Sequence, residues 1–388
     1  MAIYLDNNAT TALNQQVLDV MLPFMRRVCG NPSSLHRFGR LQRDAIEQAR
    51  EQVAKLAGAQ ADQVIFTSGG TESNNLILRG LSACAGRVQK KKPVKRIAVS
   101  TIEHMSVLKP AQALFDKVDY IAVDAQGYVN QQNLEQVLDT DTGLVSVMTA
   151  NNETGVIQSL VPLIHCCRQR GILFHTDATQ AAGKIALNFI ADGIHAMTLS
   201  AHKIYGPAGV GALIVDQTVP LNAIQFGGSQ ENNQRAGTEN VAAIAGFGKA
   251  AEMASEGLLQ RQTHTRQLCI LLEQGLKKIP AVTIFAEQAD RLPNTVQFAV
   301  AGFEGESLLM QLDRKAIAVS SGSACSSGKT QPSHVLQAMH IPDDIALAAI
   351  RVSFGENNTV AEVETLLNVL HEIINANRRS PVMMAASL

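Results

Sequence analysis

Between about residue 64 and residue 216, short apolar runs typical of β-strands alternate with longer segments of helical periodicity. This alternation predicts an α/β protein in which helices cover a mostly parallel central sheet. Such sheets bind ligands at the carboxyl ends of their strands, so the residues that follow each run are the first candidates for a functional site. The predicted strands are 64–67, 96–100, 120–123, 144–148, 172–174, 196–199 and 212–215.

A second, smaller unit is predicted to follow the central sheet. Helical patterns cover residues 240–255 and 257–278, and further strand-like runs come at 283–285, 294–298 and 317–319. A chain of 388 residues is long enough for two or three domains. We therefore predict a large domain over residues 13–260 and a small α+β domain made of residues 1–12 and 261–388.

The composition argues against several classes of function. A formal charge of −1 gives no field that would attract nucleic acid or an anionic membrane, and the absence of tryptophan argues against a base-stacking surface. The sequence contains neither a run long enough to span a bilayer nor a signal peptide, so we expect a cytoplasmic protein. The six cysteines include no CxxC pair, so we expect no metal site and no disulfide framework.

A lysine and an aspartate come at the ends of two neighbouring predicted strands. Asp177 follows the run 172–174, and Lys203 follows the run 196–199 in Ser200-Ala-His-Lys203. This pair suits pyridoxal phosphate (PLP), because the amine can form a Schiff base with the aldehyde while the carboxylate keeps the pyridine nitrogen protonated. Taken singly, each residue is equally compatible with a surface lysine or a structural aspartate.

Other predicted strand ends carry groups that suit the rest of such a cofactor. Gly69-Gly70-Thr71 ends a strand and opens a helix, whose N-terminus can bind a phosphate. His104 follows the next strand, where an imidazole could stack on a flat ring and move protons. Asn152 and Gln180 offer amide donors for a ring oxygen. A plain glycine turn and a structural histidine are the alternatives.

Two further residues suit an amino-acid substrate. Cys325 lies among serines and glycines in residues 320–328, a composition typical of an exposed loop. Its thiolate would be the reactive form, so a neighbour must take its proton or stabilise its charge. Arg351 falls in a predicted strand, and its guanidinium suits an α-carboxylate. An incidental surface cysteine and a structural ion pair are the alternatives.

Together, these motifs identify a family. The chain resembles, over nearly its whole length, the NifS/IscS cysteine desulfurases of the class V aminotransferase group, which are fold-type I PLP-dependent transferases. The motifs that carry the resemblance are Tyr4-Leu-Asp-Asn-Asn-Ala-Thr-Thr11, Gly30-Asn-Pro-Ser-Ser34, Ser68-Gly-Gly-Thr-Glu72, Glu103-His104, Asn151-Asn-Glu-Thr-Gly155, His175-Thr-Asp-Ala-Thr-Gln180, His202-Lys203, Arg235-Ala-Gly-Thr-Glu-Asn240, Arg291-Leu-Pro-Asn-Thr295 and Ser320-Ser-Gly-Ser-Ala-Cys325.

The resemblance implies a role for each candidate residue. Lys203, His104 and Cys325 would be catalytic, and Asn8 with Arg351 would bind the substrate carboxylate. The family forms homodimers, so one contact with the phosphate would come from the second subunit. The implied cofactor-binding residues are Gly70, Thr71, Asn152, Asp177, Gln180, Ser200, His202 and, from the second subunit, Thr238.

The implied reaction removes sulfur from L-cysteine, gives L-alanine and leaves a persulfide on Cys325. The persulfide sulfur would then pass to an iron–sulfur scaffold protein or to a sulfur carrier for tRNA thiolation. The chain departs from the family at Ala201, where relatives commonly carry glycine. The extra methyl group is expected beside the phosphate.

Three alternative functions remain. Another class V enzyme, such as an aminotransferase or a selenocysteine lyase, is the nearest, although an aminotransferase has no use for the loop around Cys325. Gly246-Phe-Gly-Lys-Ala-Ala251 resembles a dinucleotide-binding motif, but it lies in a helical pattern with no strand before it. A scaffold protein that lost its chemistry would not need Lys203, Asp177, His104 and Cys325 together.

Overall fold

The chain is described by a computed structural model that covers residues 2–26, 28–82, 93–280, 282–321, 324–326 and 329–378. At residues 324–326, 329, 330 and 378 it describes the backbone alone. The strands are β1 (Ile3–Tyr4), β2 (Val64–Thr67), β3 (Arg96–Ser100), β4 (Lys117–Ile121), β5 (Thr142–Ser146), β6 (Leu173–Asp177), β7 (Ala196–Ser200), β8 (Gly211–Val215), β9 (Val282–Ile284), β10 (Thr295–Val300), β11 (Ile317–Ala318), β12 (Ser320–Ser321), β13 (Ala324–Ser326), β14 (Lys329–Gln331) and β15 (Ala349–Ser353).

The α-helices alternate with the strands in the first part of the chain and cover the sheets in the second. They are α1 (Gln15–Arg26), α2 (Arg37–Ala57), α3 (Gly70–Leu81), α4 (Met105–Leu114), α5 (Gln131–Val137), α6 (Leu160–Gln169), α7 (Phe189–Asp192), α8 (Val241–Glu256), α9 (Leu258–Leu276), α10 (Gly305–Asp313), α11 (His334–Ala338), α12 (Asp343–Leu347) and α13 (Val360–Arg378).

The central sheet confirms the predicted α/β class. Its seven strands lie in the order β2-β8-β7-β6-β5-β3-β4. All neighbours pair in parallel except β8, which is antiparallel to both β2 and β7. Every strand predicted between residues 64 and 216 belongs to this sheet, with bounds shifted by a few residues. The edge strand β4 starts earlier than predicted because its first residues are polar and partly exposed, which an apolar run does not reveal.

A smaller sheet has the order β12-β15-β10-β9, with each neighbouring pair antiparallel. The N-terminal strand β1 pairs in parallel with β11, next to this sheet. The predicted strand 317–319 is therefore shorter than expected, and its partner is the N-terminus. The division into domains over residues 13–260 and over 1–12 with 261–388 stays a prediction.

Three apolar clusters form the core. Along β3, Ile97 and Val99 point into a cluster with α3 and α4, whereas Ala98 points into the cluster that contains α1, α2, α6 and α8. This alternation places helices on both faces of the central sheet. The third cluster joins α9 and α13 to the small sheet through residues such as Phe298 and Ile350.

The glycines that resemble a dinucleotide motif have a packing role. Gly246 and Gly248 lie inside α8, where a Cβ atom on Gly248 would come within 2.5 Å of the Cα atom of Ala49 in α2, and one on Gly246 within 2.8 Å of Met21 in α1. The glycines therefore allow close helix approach and do not bind a phosphate. Among the described residues, no helix is long and apolar enough to cross a membrane.

The free side of edge strand β2 is covered by a buried ion pair. Arg50 Nη1 donates to the carbonyl of Val64, and the amide of Phe66 donates to Glu231 Oε2. The two side chains pair at 2.8 Å, with 10% and 2% of their surfaces exposed, and the Arg50 guanidinium also lies over the Phe66 ring. Removing one member would leave the other charge buried and unpaired.

We expect Glu231→Ala to lower the free energy of unfolding by about 3–5 kcal/mol, because Arg50 loses its buried partner. Urea denaturation measures this loss. The matched control is Glu47→Ala, which removes from the same arginine a carboxylate that is 56% exposed. That variant should lose at most about 1 kcal/mol. Equal losses in the two variants would contradict this account.

Candidate active site

A cleft opens at the carboxyl ends of the central strands, beside the N-terminus of α3. It holds about 940 Å³ between the protein atoms and is open to solvent. Of the predicted site residues whose side chains the structure describes, all except Thr238 line it. The lining residues are Asn8, Ala9, Gly70, Thr71, His104, Ser106, Met148, Ala150, Asn152, Asp177, Thr179, Gln180, Ser200, His202, Lys203 and Arg351.

Lys203 lies just after the end of β7, and its amine points at the N-terminal segment. Nζ donates to the backbone carbonyls of Asn8 at 2.6 Å and Ala9 at 2.8 Å. Burial and the nearby cation Arg351 lower the pKa of Lys203 to about 8, against the opposing effect of Asp177. Near neutral pH, a larger share of this amine is therefore neutral and nucleophilic than for an exposed lysine.

Asp177 is the last residue of β6 and is held by two donors. Its Oδ1 accepts from the amide of Thr179 at 2.9 Å, and its Oδ2 accepts from Asn74 Nδ2 at 2.8 Å. The same Asn74 amide donates to Ser106 Oγ, which lies 2.7 Å from His104 Nδ1. A continuous chain of hydrogen bonds thus joins the two predicted residues Asp177 and His104.

Asn74 and Ser106 were not predicted, although each lies within a few residues of a predicted one. The sequence carried a signal for Asn74, which comes one turn after Thr71 on the same helix. Ser106 lies on the first turn of α4, where the amide of Ser106 donates to His104 Nδ1. Burial lowers the pKa of His104, so the imidazole is neutral near neutral pH and its proton is on Nε2.

A cradle for an anion lies at the start of α3. Gly69, with φ of 153°, precedes the helix and provides no side chain to cap its first N–H groups. Within the described part of the chain, the buried hydroxyl of Thr179 has no hydrogen-bond partner. It lies 3.1 Å from where a Cβ atom on Gly70 would be, so the glycine leaves this space open. The free N–H groups and the unpaired hydroxyl fit a phosphate.

The structure bears on two residues, Ala201 and His202, that were predicted to lie beside the phosphate. The methyl group of Ala201 lies against Gly206, where an added Cβ atom would approach it to 2.9 Å, and Ala201 does not line the cleft. The expectation that this methyl lies beside the phosphate is therefore wrong, because the turn after β7 directs it inward. Burial and Lys203 lower the pKa of His202 to about 4, so its ring acts as a neutral hydrogen-bonding group.

Arg351 reaches the cleft from β15 but is already engaged. Its Nη2 donates to Asp6 Oδ1 at 2.6 Å and its Nη1 to the carbonyl of Asn152 at 2.9 Å. Its buried Nε has no partner among the residues that the structure describes. The ion pair with Asp6 is the structural alternative considered for this residue. The predicted contact with a substrate carboxylate stays a prediction.

The side chain of Asn8 is fully used within the protein. Its Nδ2 donates to Thr295 Oγ1 at 2.9 Å and to the carbonyl of Asn152 at 3.3 Å. Its Oδ1 accepts from Lys184 Nζ and Asn294 Nδ2. A primary amide has two donors and two acceptor positions, so none is left over. A contact between this side chain and a substrate carboxylate would require one of these bonds to break.

Thr238 lies outside the cleft of its own chain and is exposed. The segment before it is fixed by Arg235, whose Nε pairs with Glu72 Oε1 at 2.9 Å, and Glu72 in turn accepts from the amide of Ser68. This segment is thereby tied to the start of α3. The prediction that Thr238 contacts the phosphate in a second subunit remains a prediction.

Comparison with known proteins gives the family. Residues 3–366 match the family described as aminotransferase class-V. A protein named cysteine desulfurase IscS from Dictyoglomus turgidum is 43% identical over 382 residues, which is 97% of this chain and 95% of that protein. The chain belongs to the class-V aminotransferase family, among the NifS/IscS-type cysteine desulfurases. Enzymes of this family use PLP, which confirms the predicted cofactor, and the cleft fits it.

Solved structures of the family share the fold. A structure described as a NifS-like protein superposes with a TM-score of 0.89 at 36% identity and covers 97% of this chain and all of that one. A structure of SspA in complex with cysteine superposes with a TM-score of 0.78 at 29% identity, over 91% of this chain and 98% of that one. These similarities confirm the predicted architecture of a class-V enzyme.

The backbone of Cys325 lies in β13, which pairs with β14 as an antiparallel hairpin. Its thiol lies outside the described residues, so the predicted catalytic role of Cys325 stays a prediction. Cys166, Cys167 and Cys269 are buried, whereas Cys29 is exposed.

Glu103, which the family motif includes beside His104, is a fully buried acid. Its Oε1 accepts from Ser100 Oγ at 2.5 Å and from the amide of Met148 at 2.7 Å. Its Oε2 has no partner among the described residues. Burial raises the pKa of Glu103 to about 8, so the carboxyl group is neutral at neutral pH.

This raised pKa makes the stability of the protein depend on pH. The unfolded-state pKa of a glutamate is 4.5. The stabilisation from protonated Glu103 is therefore complete below about pH 4.5 and lost as the pH rises through about 8. Glu103→Gln cannot titrate, so its stability relative to the wild type should increase by on the order of 5 kcal/mol across this range. Urea denaturation at stepped pH measures the difference, and parallel curves for the two proteins would contradict the assignment.

Proposed function

We propose that the chain is a PLP-dependent cysteine desulfurase, which converts L-cysteine to L-alanine and leaves a persulfide on Cys325. The observation that carries the proposal is the meeting of Lys203, Asp177 and Arg351 in one cleft of a chain that is 43% identical to a cysteine desulfurase. A structure of SspA, a protein of the same fold, contains cysteine. We therefore propose cysteine as the substrate.

When bound, PLP supplies an aldehyde for the lysine amine and an electron-withdrawing ring. Lys203 would hold it covalently, and Asp177 would pair with the ring nitrogen. The Asn74 amide and the Thr179 N–H keep both carboxylate oxygens of Asp177 in place for that contact. The other residues that would hold the group are Gly70, Thr71, His104, Asn152, Gln180, Ser200 and His202, with Thr238 of a second subunit.

Two side chains that line the cleft, Lys203 and His104, can move protons. The amine of Lys203, with its pKa lowered to about 8, can take the α-proton of the substrate and return a proton to the product carbon. Burial also keeps the imidazole of His104 neutral, with its Nε2 available to exchange a proton in the cleft. Arg351 would orient the substrate through its carboxylate, which fixes the α-proton relative to Lys203.

The sulfur transfer needs no external oxidant or reductant. The thiol of Cys325 gives up its proton and forms a bond to the substrate sulfur as the carbon–sulfur bond breaks, and the substrate carbon takes up a proton. Cysteine and one protein thiol thus become alanine and one persulfide. We further propose that a homodimer completes the site through Thr238 and that the sulfur passes to an iron–sulfur scaffold or a tRNA-thiolation carrier. The exposure of Thr238 supports the dimer contact.

The test is to supply the PLP-loaded protein with L-cysteine and dithiothreitol. We expect alanine and sulfide in equal amounts. Cys325→Ala should keep the yellow colour of the bound cofactor and lose at least about 99% of this activity, because the sulfur has no acceptor. The matched control is Cys29→Ala, which removes an exposed cysteine and should remain active. A keto acid product would indicate an aminotransferase, and full activity of Cys325→Ala would exclude this cysteine from the mechanism.

The covalent role of Lys203 is tested separately. Borohydride reduction of the loaded protein, followed by peptide mass mapping, should find the reduced cofactor on Lys203. Lys203→Ala should lose the adduct and the visible absorption. Lys249→Ala, in an ion pair with Glu252 away from the cleft, should keep both. An adduct on another lysine, or none, would refute the assignment.

A further inference from the structure

Lys184 is a buried lysine that has no acidic partner among the residues described by the structure. It is 7% exposed, and Nζ donates to Gln180 Oε1 at 2.7 Å and to Asn8 Oδ1 at 2.9 Å, both of which are neutral amide oxygens. Burial, together with the cations Lys203 and Arg351, lowers the pKa of Lys184 well below 10.5. A neutral amine has two N–H groups, which matches the two acceptors that surround it.

Lys184 decides which way the amide of Gln180 faces. Because the amine donates, Gln180 must turn its oxygen toward Lys184 and its Nε2 away from it. One N–H of this nitrogen donates to the carbonyl of Asn8 at 2.8 Å. Over the described ranges of the chain, the second N–H has no acceptor, and the side chain lines the cleft. Gln180 therefore presents a donor to whatever occupies the cleft.

Lys184 lies behind Asn8 and Gln180 and does not line the cleft itself. Lys184 lines a small recess that Lys203 also borders, whereas Asn8 and Gln180 line the cleft. The carbonyl of Asn8 accepts from both Lys203 and Gln180. One buried amine thus holds Gln180 and also Asn8, whose carbonyl accepts from Lys203, without contacting the reacting groups.

We propose that Lys184 is a positioning residue, whose amine holds the Gln180 amide with its N–H side toward the cofactor and Asn8 in place to receive Lys203. This inference rests on the proposed function, in which Gln180 donates to a ring oxygen of PLP. Without Lys184, Gln180 can rotate its amide and turn its carbonyl oxygen, instead of an N–H group, toward the ring oxygen. The ring oxygen then keeps more electron density and retains more strongly the proton that it shares with the Lys203 nitrogen.

The experiment is a pH titration of the visible absorption band of the PLP-loaded protein without substrate. We expect Lys184→Met, which replaces the amine with an apolar group of similar length, to raise the midpoint by about one pH unit. With L-cysteine, kcat should fall about tenfold while KM changes less than about twofold, because Arg351 is untouched. The matched control is Lys249→Met, whose midpoint should equal that of the wild type.

The proposal would be overturned if Lys184→Met folds, keeps the wild-type midpoint and shows only a lower unfolding temperature. That result would indicate a purely structural role for Lys184. Gln180→Met keeps Lys184 and removes the amide that it orients, so its midpoint must rise as well. An unchanged midpoint there overturns the proposal even if Lys184→Met does not fold. The titration needs no cysteine, so a wild type that shows the band but releases no alanine refutes the desulfurase proposal alone; a wild type without the band refutes both.

Discussion

The site depends on the hydrogen bonds of Asn8, which join parts of the chain that are far apart in sequence. Its amide N–H donates to Ser353 in the small sheet, its carbonyl receives Lys203 from the end of β7, and its side chain contacts Thr295 in β10. Asn8 is 1% exposed, and leaving one buried polar group unpaired costs about 1–3 kcal/mol. The Lys203 amine is therefore in place only when the N-terminal segment and both sheets are packed together.

Burial at this junction drives three titratable groups toward their neutral forms. It lowers the pKa of Lys203 to about 8, lowers that of His104, and raises that of Glu103 to about 8. A group whose pKa lies near the working pH both accepts and releases protons readily. The same desolvation that makes the site costly to fold would thus suit Lys203 and His104 to the proposed proton transfer.

The strand ends were predictable, and the supporting residues largely were not. Asp177, Lys203 and Gly70 follow runs whose periodicity marks the sheet, and parallel strands bring their carboxyl ends together. Lys184 carries no such signal, because a lysine side chain is ordinarily exposed. Its burial depends on its contact with Asn8, which is far away in the sequence. The inward methyl of Ala201 could not be predicted either, since it depends on the backbone direction of a turn.

Strand pairing in the small sheet places the start of the segment that leads to Cys325 beside Arg351. Ser320 of β12 pairs with Arg351 of β15, so the segment that leads to Cys325 starts beside the residue proposed to hold the substrate carboxylate. On the far side of the hairpin, Ser333 donates to Glu153, in the same loop as Asn152, whose carbonyl receives Arg351. Cys325 is four residues beyond Ser321, a reach of at most about 13 Å in extended chain. The described residues on both sides of β13 and β14 are thus tied to residues beside Arg351, which is the arrangement that the proposed sulfur transfer to Cys325 would require.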